Sequence, residues 1–216
     1  MVKGSLREGL IALATLALAS SSPEAQPQVQ RMSFAIMRNA IQIGQHDIAI
    51  STEGATTTVD FRTEIQVKVM FINAYSFSYA GREIWTDNHF ASFRSQTNDN
   101  GATHTVSAAA GADKIAIIAD GARLEAPIGA VPASFWSLDF INRMDFFHTE
   151  TGKPLKIAIT DLGDEQISTR MGSKRARHFR LRGGLDRDLW FDQTGAPLRY
   201  QLRGSDNSLI TSEALQ

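Results

Sequence analysis

Five histidines, His46, His89, His104, His148 and His178, are the side chains best suited to ligate a metal or move a proton near neutral pH. Zinc sites often draw on short repeats such as His-x-His or His-Glu-x-x-His, because one element then presents two nitrogens together. No such spacing occurs, and a sequence without cysteine has no thiolate ligand or thiol nucleophile. The serines lack the Gly-x-Ser-x-Gly elbow that holds a nucleophile out of a strand-to-helix turn. Two acidic groups, Asp161–Asp164–Glu165 and Asp186–Asp188–Asp192, have the residue types for general acid–base work. Both fall where turns are expected, and turn Asp side chains usually bond nearby backbone amides. The basic run Lys174, Arg175, Arg177, Arg180 and Arg182 is interrupted, as on a solvated strand face. Contact with anionic lipid headgroups is its functional alternative. These patterns predict no enzyme, no metal and no cofactor.

The elements that would position such residues begin after a targeting segment. Lys3 and Arg7 precede the apolar run Gly9 to Ala19, followed by the small residues Ser20, Ser21 and Ser22. This is the pattern of a secretory signal peptide, predicted over residues 1–25, with the mature start between Ser22 and Gln28. The run falls short of the roughly 20 residues that span a bilayer. The expectation is therefore a periplasmic chain that is not an integral membrane protein. Without cysteine it has no disulfides and must be held by its core. A formal charge of −1 leaves no footprint for nucleic acid. Residues 26–216 are expected to form a single domain.

The clearest pattern runs from Val59 to Tyr79, where every second residue falls on one side of an extended chain. The first half carries Arg62, Glu64, Gln66 and Lys68 on the other side, and the second half is rich in aromatics. With no Gly or Pro in its middle, the stretch reads as one long, strongly curved strand, such as builds barrels and half-barrels. Gly81 is expected to end it. Ile41, Ile43, Ile48 and Ile50 do not share one parity, which predicts a bulge near Gly44. Turns are expected at Glu53-Gly54, Thr86-Asp87-Asn88, Asn98 to Gly101, Asp120-Gly121 and Leu162-Gly163-Asp164. A short helix is predicted from Pro132 to Asn142, as a plug or a lid. The count is about 12 to 14 strands in an all-β, mainly antiparallel architecture.

Three segments, Glu83 to His89 with Ser95 to Gly101, Pro132 to Trp136, and Leu189 to Leu198, together resemble a family of exported bacterial proteins with no assigned function. The resemblance implies a spiral β-roll or half-open barrel, similar in shape to the half-barrels that carry lipoproteins or lipids through the periplasm. It supplies no catalytic residues. On that curved wall, Phe71, Tyr75, Phe77 and Tyr79, with Trp136 from the helix, are the expected ligand-binding residues. The predicted function is a carrier of an acyl chain or similar hydrophobic small molecule. The alternative is an envelope module with a packed core that binds another protein.

Overall fold

The computed structural model describes residues 28–215, so the expected leader lies outside the described residues. Alternating apolar residues, with Asn, Asp or Gly in every turn but one, build eight consecutive strands: β1 (Gln28–Arg38), β2 (Ile41–Glu53), β3 (Thr56–Val69), β4 (Ile72–Thr86), β5 (His89–Asp99), β6 (Ala102–Ala110), β7 (Lys114–Ala119) and β8 (Ala122–Pro127). The tight turns at Asn39-Ala40, Asp87-Asn88, Asn100-Gly101 and Asp120-Gly121 each have two positive φ angles, the geometry that matches strand twist. An insertion then carries the short strands β9 (Val131–Pro132), β10 (Phe146–Phe147) and β11 (Pro154–Leu155). The chain returns to a second run of hairpins: β12 (Ile157–Thr169), β13 (Gly172–Gly183), β14 (Arg187–Phe191), β15 (Pro197–Arg203) and β16 (Leu209–Ala214).

The two runs join through antiparallel β1–β16 pairing, Phe34 opposite Ala214 and Arg38 opposite Ile210. The result is a 13-stranded sheet in the order β12-β13-β14-β15-β16-β1-β2-β3-β4-β5-β6-β7-β8. Its edges, β8 and β12, do not pair with each other, so the curved wall stays open. Beyond β14 the long β12–β13 hairpin curls over the outside. Ile167 and Ala176 there cover Trp190 and Leu198 in a second small core. At the hairpin tip the Arg170 backbone N–H donates to Glu213 of β16 at 2.7 Å. The all-β, antiparallel architecture is what the alternation predicts, and the half-open roll is what the resemblance implied.

The stretch from Val59 to Tyr79 is a hairpin, not one curved strand. Met70 and Phe71 form the turn, with Met70 at φ 57. A two-residue loop would ordinarily put odd residues of one strand opposite even ones of the other. A bulge prevents this: Lys68 pairs Asn73, Val67 pairs Tyr75, and Ala74 is left over. Thr63 then faces Tyr79, and Ile65 faces Phe77, so both strands keep their odd residues inward. Phe71 sits at the tip, 100% exposed. Phe71→Ser should therefore leave unfolding free energy within about 0.5 kcal/mol of the parent in urea titration. A larger loss would reveal a contact the fold does not contain.

Three further expectations change. Gly81 lies inside β4, where a Cβ would strike the Tyr79 hydroxyl, so the glycine marks a close approach and not a strand end. Gly163 is part of a bulge within β12, with Asp161 pairing Phe179 and Gly163 pairing His178, so no hairpin turn occurs there. The predicted helix shrinks to a single 3₁₀ segment, Leu138–Asn142, whose first-turn Asp139 N–H is capped by Ser137. Pro132 belongs to β9 and Phe135 has φ 53, which stops helical backbone from running through the segment. The bulge near Gly44 is present: Ile36 pairs Gly44, Met37 pairs Gln42, and Ile43 is the extra residue. A Cβ on Gly44 would clash with the Glu64 carbonyl oxygen across the β2–β3 ladder.

The insertion plugs one end of the roll. Phe135, Phe140, Phe146 and Phe147 are buried, each giving up about 1.5–3 kcal/mol worth of apolar exposure. Phe147 packs edge-on against Phe90 and Phe93 of β5. Phe140 meets Phe179 and Phe191 from the second run. The plug thus bridges the two runs that the open seam leaves apart.

Candidate functional site

Toward the end of the wall where the β1–β2, β3–β4 and β15–β16 hairpins turn, the interior is incompletely filled. A cavity of about 200 Å³ remains, walled by Ile36, Phe61, Ile65, Phe77, Leu202 and Ile210. Ala133, Ser134, Thr149 and Glu150 of the plug also line it, with His46, Thr63, Tyr79, Tyr200 and Arg187 among its polar groups. Strand parity places them. Arg187 precedes the buried Leu189 and Phe191 by two and four residues, so it shares their inward side. His46 precedes buried Ile48 in the same way.

Most of these polar groups are neutral near pH 7. Burial pulls the His46 imidazole down to about 4, opposed by Asp47 and reinforced by Arg187. Its Nδ1 bonds the Thr63 hydroxyl at 2.7 Å, and the ring lies between Phe34 and Phe61. Burial pushes the Tyr79 and Tyr200 phenols above their ordinary range. The Tyr200 hydroxyl donates to the Phe135 carbonyl at 3.1 Å. Arg187 is different. Burial works against its charge, yet guanidinium stays protonated in proteins. Among the described residues its side chain has no ion pair and no hydrogen bond. Glu150 attracts it from beyond contact distance, and burial raises the Glu150 carboxyl.

At the plugged end lies a second polar group. Glu83, fully buried, follows Tyr79 and Gly81 on the inward parity of β4. Its Oε2 accepts the indole N–H of Trp85 and of Trp136, both at 2.9 Å. Its Oε1 has no partner. Burial pushes the carboxyl up to about 7, with Ser134, Trp136 and Trp85 holding it lower than burial alone would. Arg143 lies 5.6 Å over Trp85 beside a crevice of about 60 Å³, too small for more than a few water-sized groups.

The expected ligand residues therefore separate. Phe77 and Tyr79 line the cavity. Tyr75 is half-buried outside its lining, its phenol raised to about 12 by burial and Asp99. Trp136 belongs to the Glu83 group and Phe71 to the exposed tip. In the sequence His46 stood out only as one of five histidines without metal spacing, and Arg187, Glu150 and Glu83 carried no expected role in a site. Their signal was a charged or polar residue on an otherwise apolar parity. The carboxylate clusters are structural: Asp161 holds Arg177 and the Gly163 N–H, Asp192 caps its turn through Thr194 and Ala196, and Asp188 gathers His178, Arg180 and Arg182. Those pairings also occupy much of the basic run. Among the described residues no group of three or more His, Asp or Glu is placed to hold a metal ion, and no helix is long and apolar enough to cross a membrane.

A scan of protein families matches residues 34–213 to a domain of unknown function, DUF6134. The chain belongs to the DUF6134 family. The match takes in β16 as well as β1, so the DUF6134 domain includes the strand pair that joins the two runs. Comparison with curated proteins finds no match for this DUF6134 chain. Among solved structures it is similar to a beta-barrel-like protein of domain of unknown function DUF1849 from Brucella abortus, with a TM-score of 0.63. The likeness covers 88% of this chain and 96% of that one at 8% identity, and it concerns the fold alone.

Proposed function

We propose that this DUF6134 chain is a non-catalytic binding or carrier protein of the bacterial periplasm. It holds an acyl chain or similar apolar molecule inside its curved sheet. The observation that carries this reading is the unfilled, largely apolar interior above the phenylalanine plug. Natural cores are packed to crystal-like density, so a cavity of about 200 Å³ left between Phe61, Phe77 and Leu202 costs contacts that a ligand would restore. Transfer of alkyl surface supplies about 0.8 kcal/mol per buried methylene. The volume lies below the roughly 300–1,000 Å³ of drug-sized sites, which fits a slender chain better than a fused-ring compound.

Solvent extraction of the purified protein, followed by mass spectrometry, should release an apolar compound in near-stoichiometric amount. A fluorescent fatty-acid probe should bind the emptied protein. Leu202→Trp, which puts a side chain into the space, should weaken that binding by about 10-fold or more. A ligand-free extract together with no probe binding would sink the reading.

A second reading, an envelope module that binds another protein, draws on a different feature. Met70, Phe71 and Ile72 expose 90%, 100% and 73% of their surfaces at one hairpin tip. Apolar residues gathered at an exposed tip are a common mark of a contact surface. Replacing all three by serine would abolish such an interaction while leaving probe binding in the cavity intact.

A further inference from the structure

The cavity holds a guanidinium that no side chain among the described residues meets at contact distance. Arg187 lines it with a fixed fork of five N–H donors, and no carboxylate among the described residues lies within ion-pair distance. Elsewhere in the same region of sheet, arginines are answered closely: Arg180 and Arg182 by Asp188, and Arg199 by Glu213 at 2.6 Å. Arg187 is only partly buried, so its guanidinium stays open to the cavity and within reach of a group that enters it. The apolar walls Phe61, Phe77, Ile65 and Leu202 share the space with that fork.

We propose that Arg187 is the headgroup anchor of this cavity, and that its ligand is a single-chain amphiphile ending in a carboxylate. The inference rests on the carrier reading and specifies its substrate class. A carboxylate matches the planar guanidinium in bidentate geometry, with the chain lying along the apolar wall. Glu150, on the plug side of the same cavity, repels added negative charge and so favours a monoanion over a phosphate monoester. Tyr79 adds a phenol next to the space, its ring folded over Gly81.

The competing account is purely structural: Glu150 balances Arg187 at longer range and no ligand is needed. Three dodecyl ligands separate the accounts on wild-type protein, by displacement of a neutral fluorescent probe: dodecanoate, dodecanol and dodecyl phosphate. Dodecanoate should bind about 10- to 100-fold more tightly than dodecanol, the range expected for hydrogen bonds to a charged group. Arg187→Met should remove that difference, and Glu150→Gln should tighten dodecanoate. Dodecanoate and dodecanol binding equally would overturn the anchor while leaving the carrier reading standing. Failure of all three to bind would overturn both. Dodecyl phosphate binding more tightly than dodecanoate would overturn the carboxylate assignment. Inorganic phosphate alone displacing the probe would also do so, since the site would then recognise a free anion. The wild-type comparison stands even where Arg187→Met fails to fold.

Discussion

Phe147→Ala is expected to destabilise the folded chain by about 3–5 kcal/mol, the usual cost of emptying a phenylalanine site in a core. Phe147 is 0% exposed, and its ring meets Phe90 and Phe93 at centroid distances of 5.8 and 5.6 Å. Its neighbourhood cannot easily collapse. The carbonyl of Phe147 accepts the Ala133 N–H, and β10 is clamped between β9 and β11. Urea titration followed by tryptophan fluorescence measures the change directly. The midpoint should fall while the slope stays constant, since the surface exposed on unfolding is nearly the same. A loss below about 1 kcal/mol would mean that the insertion is an accessory and not the plug that ties the two runs together.

The second large effect is a stability plateau bounded on both sides by buried groups. Glu83 has a native pKa raised from 4.5 to about 7, so between those values the native state holds a proton that the unfolded chain has released. Stability then falls as pH rises through that window. His46 is the mirror case. Its native pKa is lowered from 6.5 to about 4, the unfolded chain binds the extra proton, and stability falls as pH drops through that window. Each shift is worth on the order of 3 kcal/mol at its limit. Where the windows overlap, from 4.5 to 6.5, the two slopes oppose one another and stability should be nearly flat. Glu150, raised by burial, and His148, lowered by burial, steepen the same two arms.

Glu83→Gln should unmask the His46 slope, with stability rising by on the order of 3 kcal/mol between pH 4 and 6.5, and His46→Gln should unmask the Glu83 slope, with a fall of similar size between pH 4.5 and 7. Unfolding free energies at pH 4, 5.5 and 8 for the three proteins test the assignment. A flat profile that persists in Glu83→Gln would show that Glu83 does not carry the opposing slope. The wild-type carboxylate has two indole donors on Oε2 and none on Oε1, so ionising it leaves one buried oxygen without a donor.

Much of this architecture was readable in the chain. Asn100-Gly101 and Asp120-Gly121 fixed their turns through positive φ, and the mixed parity around Ile43 announced the bulge beside Gly44. The hairpin at Met70-Phe71 was not readable, because neither residue favours positive φ and the bulge at Ala74 preserved the odd-residue pattern of a continuous strand. Gly81 and Gly163 misled for the opposite reason. Each permits a local backbone requirement within a strand, a close aromatic in one case and a bulge in the other. The site was half legible. Phe77 and Tyr79 follow from parity, but pairing partners bring Arg187 to the same space from more than 100 positions away, and period-two reasoning carries no information about which strands meet.

The junction of β1 with β16 has a consequence for how the molecule is assembled. Every other neighbour in the large sheet is joined to the next by a hairpin or short connection, so those pairings form through local contacts. Phe34 must wait for Ala214. As the chain emerges, the first eight strands can zip together while β1 still offers its outer edge as a bare row of N–H and C=O groups. Such an edge is a template for a neighbouring chain. The final pairing reaches Phe34 to Arg38, with Ser33 accepting the Leu215 N–H, and leaves Gln28 to Met32 beyond it, where Gln28, Gln30 and Arg31 are polar and the apolar Met32 is buried. The segment that remains an edge for the life of the protein is thus poorly suited to strand-to-strand aggregation, and the more apolar segment is exposed only until the last strand arrives.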